Sequence, residues 1–268
     1  METIINAAFE DESLLKNSAT IDVVEMVMSN LDSGKFRVCE HTGEGWITHQ
    51  WLKKAILLYF KIKKMVVVRS GDLSFVDKIP VKQWIGTEGV RVVPNAVVRY
   101  GAHVCERVVL MPSYVNIGAY VDVGAMVDTW VTVGSCAQIG KRVHLSEGVG
   151  IGGVLEPLQN NPVIVEDDVF IGSRCTVVEG VHIGSGAVLA AGVVVTGSTR
   201  IVDVTGAEMK IMRGSIPENA VVIPGAMPKK FPAGEMNISC ALVIGERNEK
   251  TDRKTSLNDV LRDYNIAV

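Results

Sequence analysis

From Val115 onward, apolar residues recur every sixth position: Val115, Val121, Val127, Val133, Ile139, Leu145 and Ile151. Four residues after each stands a second position, Ala119, Ala125, Val131, Ala137, Val143, Val149 and Leu155, and all but the last are small or β-branched. Immediately after each aliphatic comes a turn former or small polar residue: Asn116, Asp122, Asp128, Gly134, Gly140, Ser146 and Gly152. The period resumes at Val165 and runs through Ile171, Val177, Ile183, Leu189 and Val195 to Ile201. Upstream, Val92, Val98, Val104 and Leu110 obey it too, with a one-residue slip across Met111–Tyr114.

Period six is neither helical nor simple strand alternation. It suits a triangular coil with three short strands per turn, so that residues 18 apart stack at strand spacing, roughly 4.8 Å. Val115, Val133 and Ile151 should form one inward column. The expected fold is therefore mainly β: a left-handed parallel β-helix of hexapeptide repeats, with an N-terminal α-helical cap and a short C-terminal β/α extension. The stretches "TIDVVEMVMSNLDSG" and "THQWLKKAILLYFKI" carry helical apolar stripes and place the cap at residues 1–90. The β-helix should span 91–224, broken by an excursion loop at 152–164 and a hairpin at 202–215. Residues 225–268 should add a strand, "ISCALVIG", and a helix, "SLNDVLRDY".

Composition narrows the setting. Apolar residues make up 47% of the 268 and charged ones 21%, as a globular chain requires; the net charge of −3 gives no general attraction to nucleic acid or membranes. No apolar run reaches 18 residues, and the first residues carry acids where a secretion signal needs a basic start. Five scattered cysteines without metal spacing point to reduced thiols in a cytoplasmic protein, with Cys136 and Cys175 as small core residues.

Flat prism faces offer little concavity, so a ligand groove should form between copies, most simply in a closed homotrimer. Asp122 and Asp128 occupy turn positions where a solvated acid is the ordinary reading, but "VDTW" sets an aromatic beside Asp128. Glu156 and Glu179 are further carboxylates, and His144 and His182 read as outward surface histidines. Five dispersed histidines do not give the three converging ligands that a metal-dependent enzyme on this solenoid needs, so no metal site is expected. Arg91, Arg99, Arg174 and Arg200 lie in or beside the repeat, with solvation the ordinary reading for Arg99. Lys229 and Lys230 lie in "MPKKFPAG", and such cations match carboxylates or phosphates.

"THQWLKKAILL", "MPSYVNIGAYVDVGAMVDTWVTVGSCAQIGKRVHLS" and "GVGIGGVLEPLQ" resemble the 2,3,4,5-tetrahydropyridine-2,6-dicarboxylate N-succinyltransferase family, and the likeness runs from "LDSGKFRV" to "KTSLNDVLRD". The resemblance implies a homotrimer in the lysine and diaminopimelate route. With succinyl-CoA as co-substrate and no bound cofactor, it would succinylate hydrated tetrahydrodipicolinate at sites between subunits. It puts the substrate-binding arginine at Arg91 and the essential aspartate at Asp128. Where the resemblance implies a glutamate immediately before "VVEG", this chain has Thr176, leaving Asp128 alone, or helped by Glu179 or a water. Pantetheine should pass Gly192 and Arg200, with Arg200 and Lys230 toward CoA or succinyl oxygens. Two other readings stay open: an acetyl-CoA-dependent acyltransferase with His144 as base, and a catalytically weakened trimeric scaffold.

Overall fold

The structure, a computed structural model, describes residues 1–43, 45–158 and 160–248. Three parallel sheets wrap one interior. The first face stacks Arg91–Val92, Val109–Leu110, Met126–Val127, His144–Leu145, Phe170–Ile171 and Val188–Leu189. The second stacks Val97–Val98, Tyr114–Val115, Thr132–Val133, Gly150–Ile151, Thr176–Val177 and Val194–Val195. The third runs from His103–Val104 through Tyr120–Val121, Gln138–Ile139, Ile164–Val165 and His182–Ile183 to Ser215–Ile216.

The register explains the period. Val133 pairs with both Val115 and Ile151, so the expected inward column exists, and all three residues are buried. Val98 pairs with Val115 at a separation of seventeen, which is the slip at Met111–Tyr114. Each two-residue strand turns its second residue inward, and the position four later, such as Ala119, Ala137 or Cys175, fills the narrow remaining space. At Gly134 an added Cβ would stand 2.1 Å from the nitrogen of Gly153, so the backbones meet too closely there for any side chain.

The cap contains helices α1 (Glu2–Glu10), α2 (Ser18–Asp32) and α3 (Gln50–Ile62), and also two antiparallel hairpins, β1 (Cys39–Thr42) with β2 (Gly45–Thr48) and β3 (Val66–Ser70) with β4 (Leu73–Asp77). Val24, Val27, Met28, Ala55, Ile56 and Tyr59 form its core, which reaches the prism through Ile117 and Cys136. The expectation that Cys136 lies inside the prism is thus corrected. It sits at φ 65°, and its buried side chain joins the cap core. Cys175, by contrast, belongs to the prism interior. Leu155, the exception in the small-residue series, packs partly on the cap core too.

Two charged residues read as ordinary surface are not. Asp122 is 8% exposed and faces Arg37 at 3.5 Å. Arg99 donates to Asp77 and, at 3.3 Å, to Asn116.

The chain leaves the coil between 151 and 164, and the strands Ile201–Asp203 and Lys210–Met212 pair as an antiparallel hairpin. The division anticipated at residue 225 falls inside one continuous strand, Ala220–Phe231, which pairs along its length with Gly234–Glu246. The sequence reading stopped there because the six-residue period ends, whereas the strand continues once a partner satisfies its backbone. The helix expected at 256–264 lies outside the described residues.

Lys53 ties the excursion loop to the cap. It is fully buried, and its Nζ donates to the carbonyls of Pro157, Leu158 and Asn160 at 3.3, 3.0 and 2.8 Å. Burial pulls its ammonium pKa down against the opposing influence of the Cys136 and Cys39 thiols. Lys53→Met leaves three carbonyls without their donor, and we expect a loss of about 2–4 kcal/mol in denaturant-unfolding free energy. An unchanged midpoint would show that the loop is held by other contacts.

Candidate functional site

The cap determines which surfaces remain available. It seals the corner between the second and third faces. Arg37 lies 3.9 Å over the Tyr120 ring on the third face, and Trp46 of β2 reaches Glu166 there. The first face and the corner between the first and second faces stay open. Arg91, Asp128, His144 and Gly192 all lie on that side.

Asp128 follows Met126–Val127 and turns the chain toward Thr132–Val133. Its backbone N–H donates to Leu145 O at 3.0 Å, which locks the corner to the next coil. Its Oδ1 accepts the Thr129 N–H at 2.7 Å and the Thr129 hydroxyl at 3.3 Å. Oδ2 has no hydrogen-bond partner among the described residues. The carboxylate is therefore held by one oxygen and presents the other. Two residues on, Trp130 adopts φ 61° with its indole 69% exposed. A bulky residue in the left-handed region costs about 1–3 kcal/mol.

Arg91 is exposed and shares the first face with Met126, two coil spacings or roughly 10 Å away. His144 pairs with Met126 in the next coil, and its ring stacks on Phe170 at 5.0 Å and 25°. Burial lowers its pKa, and the nearby Asp128 charge opposes this, so the imidazole is held toward its neutral form.

The remaining candidates disperse. Thr176 is on the second face, two coils from Thr132. Glu179 is at the far corner of that face, φ 58°, where its Oε2 accepts the Gly197 N–H at 3.1 Å. The width of a face and two coils separate it from Asp128, so the two carboxylates do not meet within one chain. Glu156 is exposed on the excursion loop. Gly192, φ 77°, is exposed at the open corner, and an added Cβ there would touch nothing. Arg200 lies against Met227 of the long hairpin, Nη1 to Sδ 3.3 Å. Lys230 pairs in register with Glu235 near the hairpin tip. It is eight residues beyond Val222 in the stack, roughly 26 Å along the strand. Lys229 sits 5.1 Å over Phe231. Arg174 is 79% exposed beside Glu147. No group of three potential metal ligands occurs among the described residues, and no described helix is long and apolar enough to cross a membrane.

Sequence reasoning missed a half-buried polar cluster at the third face. Glu166 accepts from Trp46 Nε1 at 2.8 Å, the Ser185 hydroxyl at 2.8 Å and the Ser185 N–H at 3.0 Å, and pairs with His182 Nε2 at 2.8 Å. His182, read as a free surface histidine, is thus paired. Residues 46, 166 and 182 are too far apart in sequence for spacing to reveal the contact. Burial works against the Glu166 charge, but these hydrogen bonds outweigh it and bring its pKa down to about 2. A depressed folded-state pKa gives stability that is present above the ordinary value of 4.5 and lost as pH falls toward 2. Glu166→Gln should therefore flatten the acid limb of unfolding free energy between those values; an unaltered slope would show that the cluster does not couple to folding.

Comparison with known proteins agrees with this architecture. The family model for the tetrahydrodipicolinate N-succinyltransferase N-terminal region matches residues 1–62, and that for the hexapeptide repeat of succinyl-transferase matches 162–197. The 2,3,4,5-tetrahydropyridine-2,6-dicarboxylate N-succinyltransferase of Acinetobacter baylyi is 51% identical, with 98% of each chain covered. The enzyme of the same name from Caulobacter vibrioides is 50% identical over 98% of this chain and 99% of its own. A Campylobacter jejuni crystal structure, described as a candidate 2,3,4,5-tetrahydropyridine-2-carboxylate N-succinyltransferase, matches with a TM-score of 0.51 at 17% identity, over 83% of this chain and 62% of that one. At that identity the likeness speaks for the fold.

Proposed function

The chain belongs to the 2,3,4,5-tetrahydropyridine-2,6-dicarboxylate N-succinyltransferase family, and from that premise we propose how its own residues divide the work. It is an acyltransferase that moves a succinyl group from succinyl-CoA to the amine of hydrated tetrahydrodipicolinate, giving N-succinyl-2-amino-6-oxopimelate and CoA in lysine and diaminopimelate biosynthesis.

In the proposed mechanism water first adds across the imine. The ring nitrogen then attacks the thioester carbonyl, and the tetrahedral adduct expels the CoA thiolate, which takes the proton removed from the nitrogen. The N-acyl hemiaminal opens at its ring C–N bond, its hydroxyl carbon becoming the 6-oxo group as the amide nitrogen takes the hydroxyl proton. Asp128 orients the nitrogen and takes its proton through Oδ2, the oxygen that Thr129 leaves unpaired. The single observation that carries this assignment is that half-held carboxylate at the uncapped corner. Arg91, exposed on the same side, clamps a substrate carboxylate with its guanidinium fork. Bringing the two reactants together supplies more of the acceleration than the base does.

A cleft of about 620 Å³ lies on the cap side, lined by Asp32, Lys82, Trp84 and His103, and includes neither Asp128 nor Arg91. The catalytic groove is therefore assigned to the junction between copies in a homotrimer. Pantetheine passes the bare backbone at Gly192, and Arg200 and Lys230 serve the CoA or succinyl oxygens, Lys230 at a distance only a neighbouring copy would bridge. Within one chain Thr176 and Glu179 stand two coils away from the Asp128 level, and the base role is assigned to Asp128 by itself. We place the protein in the cytoplasm, a reducing setting that suits its five free thiols.

The test is CoA-thiol release, with and without tetrahydrodipicolinate, from succinyl- and acetyl-CoA. Acceptor-dependent release from the succinyl donor is expected. Release favouring acetyl-CoA and abolished by His144→Ala would instead support the histidine-base reading. Asp128→Asn should lower kcat by about 10²–10⁴-fold with the size of the assembly unchanged; full activity would remove Asp128 from its role. Thr176→Glu should leave turnover within about threefold, because general-base work is already done, and a large gain would show that a second carboxylate is wanting.

A further inference from the structure

Among the described non-glycine residues with left-handed backbone at the prism corners, Trp130 is the aromatic one. Corners of this stack use a left-handed residue, and at the corner between the first and second faces the equivalent positions are Asn95, Gly148, Arg174 and Gly192, with φ 74°, 69°, 59° and 77°. The backbone path does not ask for an aromatic. Trp130 N–H donates to Pro112 O at 2.7 Å, just as Gly148 N–H donates to Thr129 O at 2.9 Å and Gly192 N–H to Ser173 O at 3.0 Å. Glycine meets the same geometry without strain. Burial does not compensate either: the indole is 69% exposed and belongs to neither hydrophobic core, whereas the rings of Trp46 and Trp51 pack against aromatic neighbours. Strain that neither folding geometry nor packing explains is a pointer to function.

The surroundings say which function. Trp130 is two residues from Asp128 on one corner, and the next position along the stack, Gly148, has no side chain. An exposed indole beside a glycine in the next coil gives this corner an aromatic projection two residues from the carboxylate of Asp128. We propose that this indole face is the wall against which the six-membered ring of the acceptor lies. The ring's methylene face packs on the indole, its nitrogen meets Asp128 and a carboxylate points toward Arg91. The acyl donor, arriving from the Gly192 side, does not depend on it. This inference rests on the site proposed above and deepens it by assigning the acceptor subsite.

The test compares Trp130→Gly and Trp130→Phe as intact assemblies, using succinyl-CoA and tetrahydrodipicolinate. Trp130→Gly should raise KM for the acceptor by roughly tenfold or more, the scale of one aromatic contact, and leave KM for succinyl-CoA within about twofold. Its melting temperature should equal or exceed that of the unaltered protein, because strain is relieved, an outcome that a purely structural tryptophan would not give. Trp130→Phe should restore most of the acceptor affinity. Acceptor binding should change tryptophan emission, and the change should vanish in Trp130→Phe, a readout that stands even if the glycine variant does not accumulate. Four results would overturn the inference: an unaltered acceptor KM, equal losses for both substrates, dissociation of the assembly in Trp130→Gly, or an emission change that persists in Trp130→Phe. If Asp128→Asn is inactive while Trp130→Gly is normal, this inference fails alone. If both are normal, the proposed site fails with it.

Discussion

The stacking of coils at strand spacing governs everything else in this protein. Each inward aliphatic has a neighbour one coil above and one below, as in Val115, Val133 and Ile151, and the backbone hydrogen bonds run along the same axis. The interior is so narrow that the position four after each aliphatic is small or β-branched, and at the corner residue Gly134 there is no room for a side chain at all. Insertions are tolerated only at corners, where the chain can leave and return without displacing a strand. The excursion before Ile164 and the hairpin after Ile201 both obey this.

A prism so built is repetitive, and repetition alone gives no site. The N-terminal cap breaks the equivalence of the three corners. By seating Ile117 and Cys136 in its own core and clamping the third face through Arg37, Trp46 and Glu166, it occupies one side. The face that bears Arg91 and His144, and the corner that bears Asp128, lie away from the cap's contacts with the third face. Lys53 extends the clamp to the excursion loop by satisfying three carbonyls that the loop cannot pair internally.

The open corner also shows how the catalytic assignment is distributed. Thr129 fixes one oxygen of Asp128, Phe170 fixes the plane of His144, and Arg91 stands two coils away. A rigid backbone lets these groups hold position, and in the proposed trimer a neighbouring copy supplies the other wall of the groove. The replacement of a carboxylate by Thr176 fits an arrangement in which positioning carries more of the rate than proton transfer.

The sequence by itself determined the prism. The six-residue period dictated strand positions, the inward column and the slip before Tyr114, because a two-residue strand followed by a tight turn leaves one inward aliphatic and one small residue per repeat. Its motifs also singled out Asp128 and Arg91. Only the tertiary structure decided which outward residues were free. Asp122 and Asp128 occupy the same place in their hexapeptides, yet one is buried against Arg37 and the other presents an unpaired oxygen. Cys136 faces the cap, His182 is joined to Glu166, and Glu179 stands a face away from Asp128. Local spacing repeats identically around the coil, whereas burial depends on the cap, whose contacting residues are separated from the prism by up to a hundred or more positions.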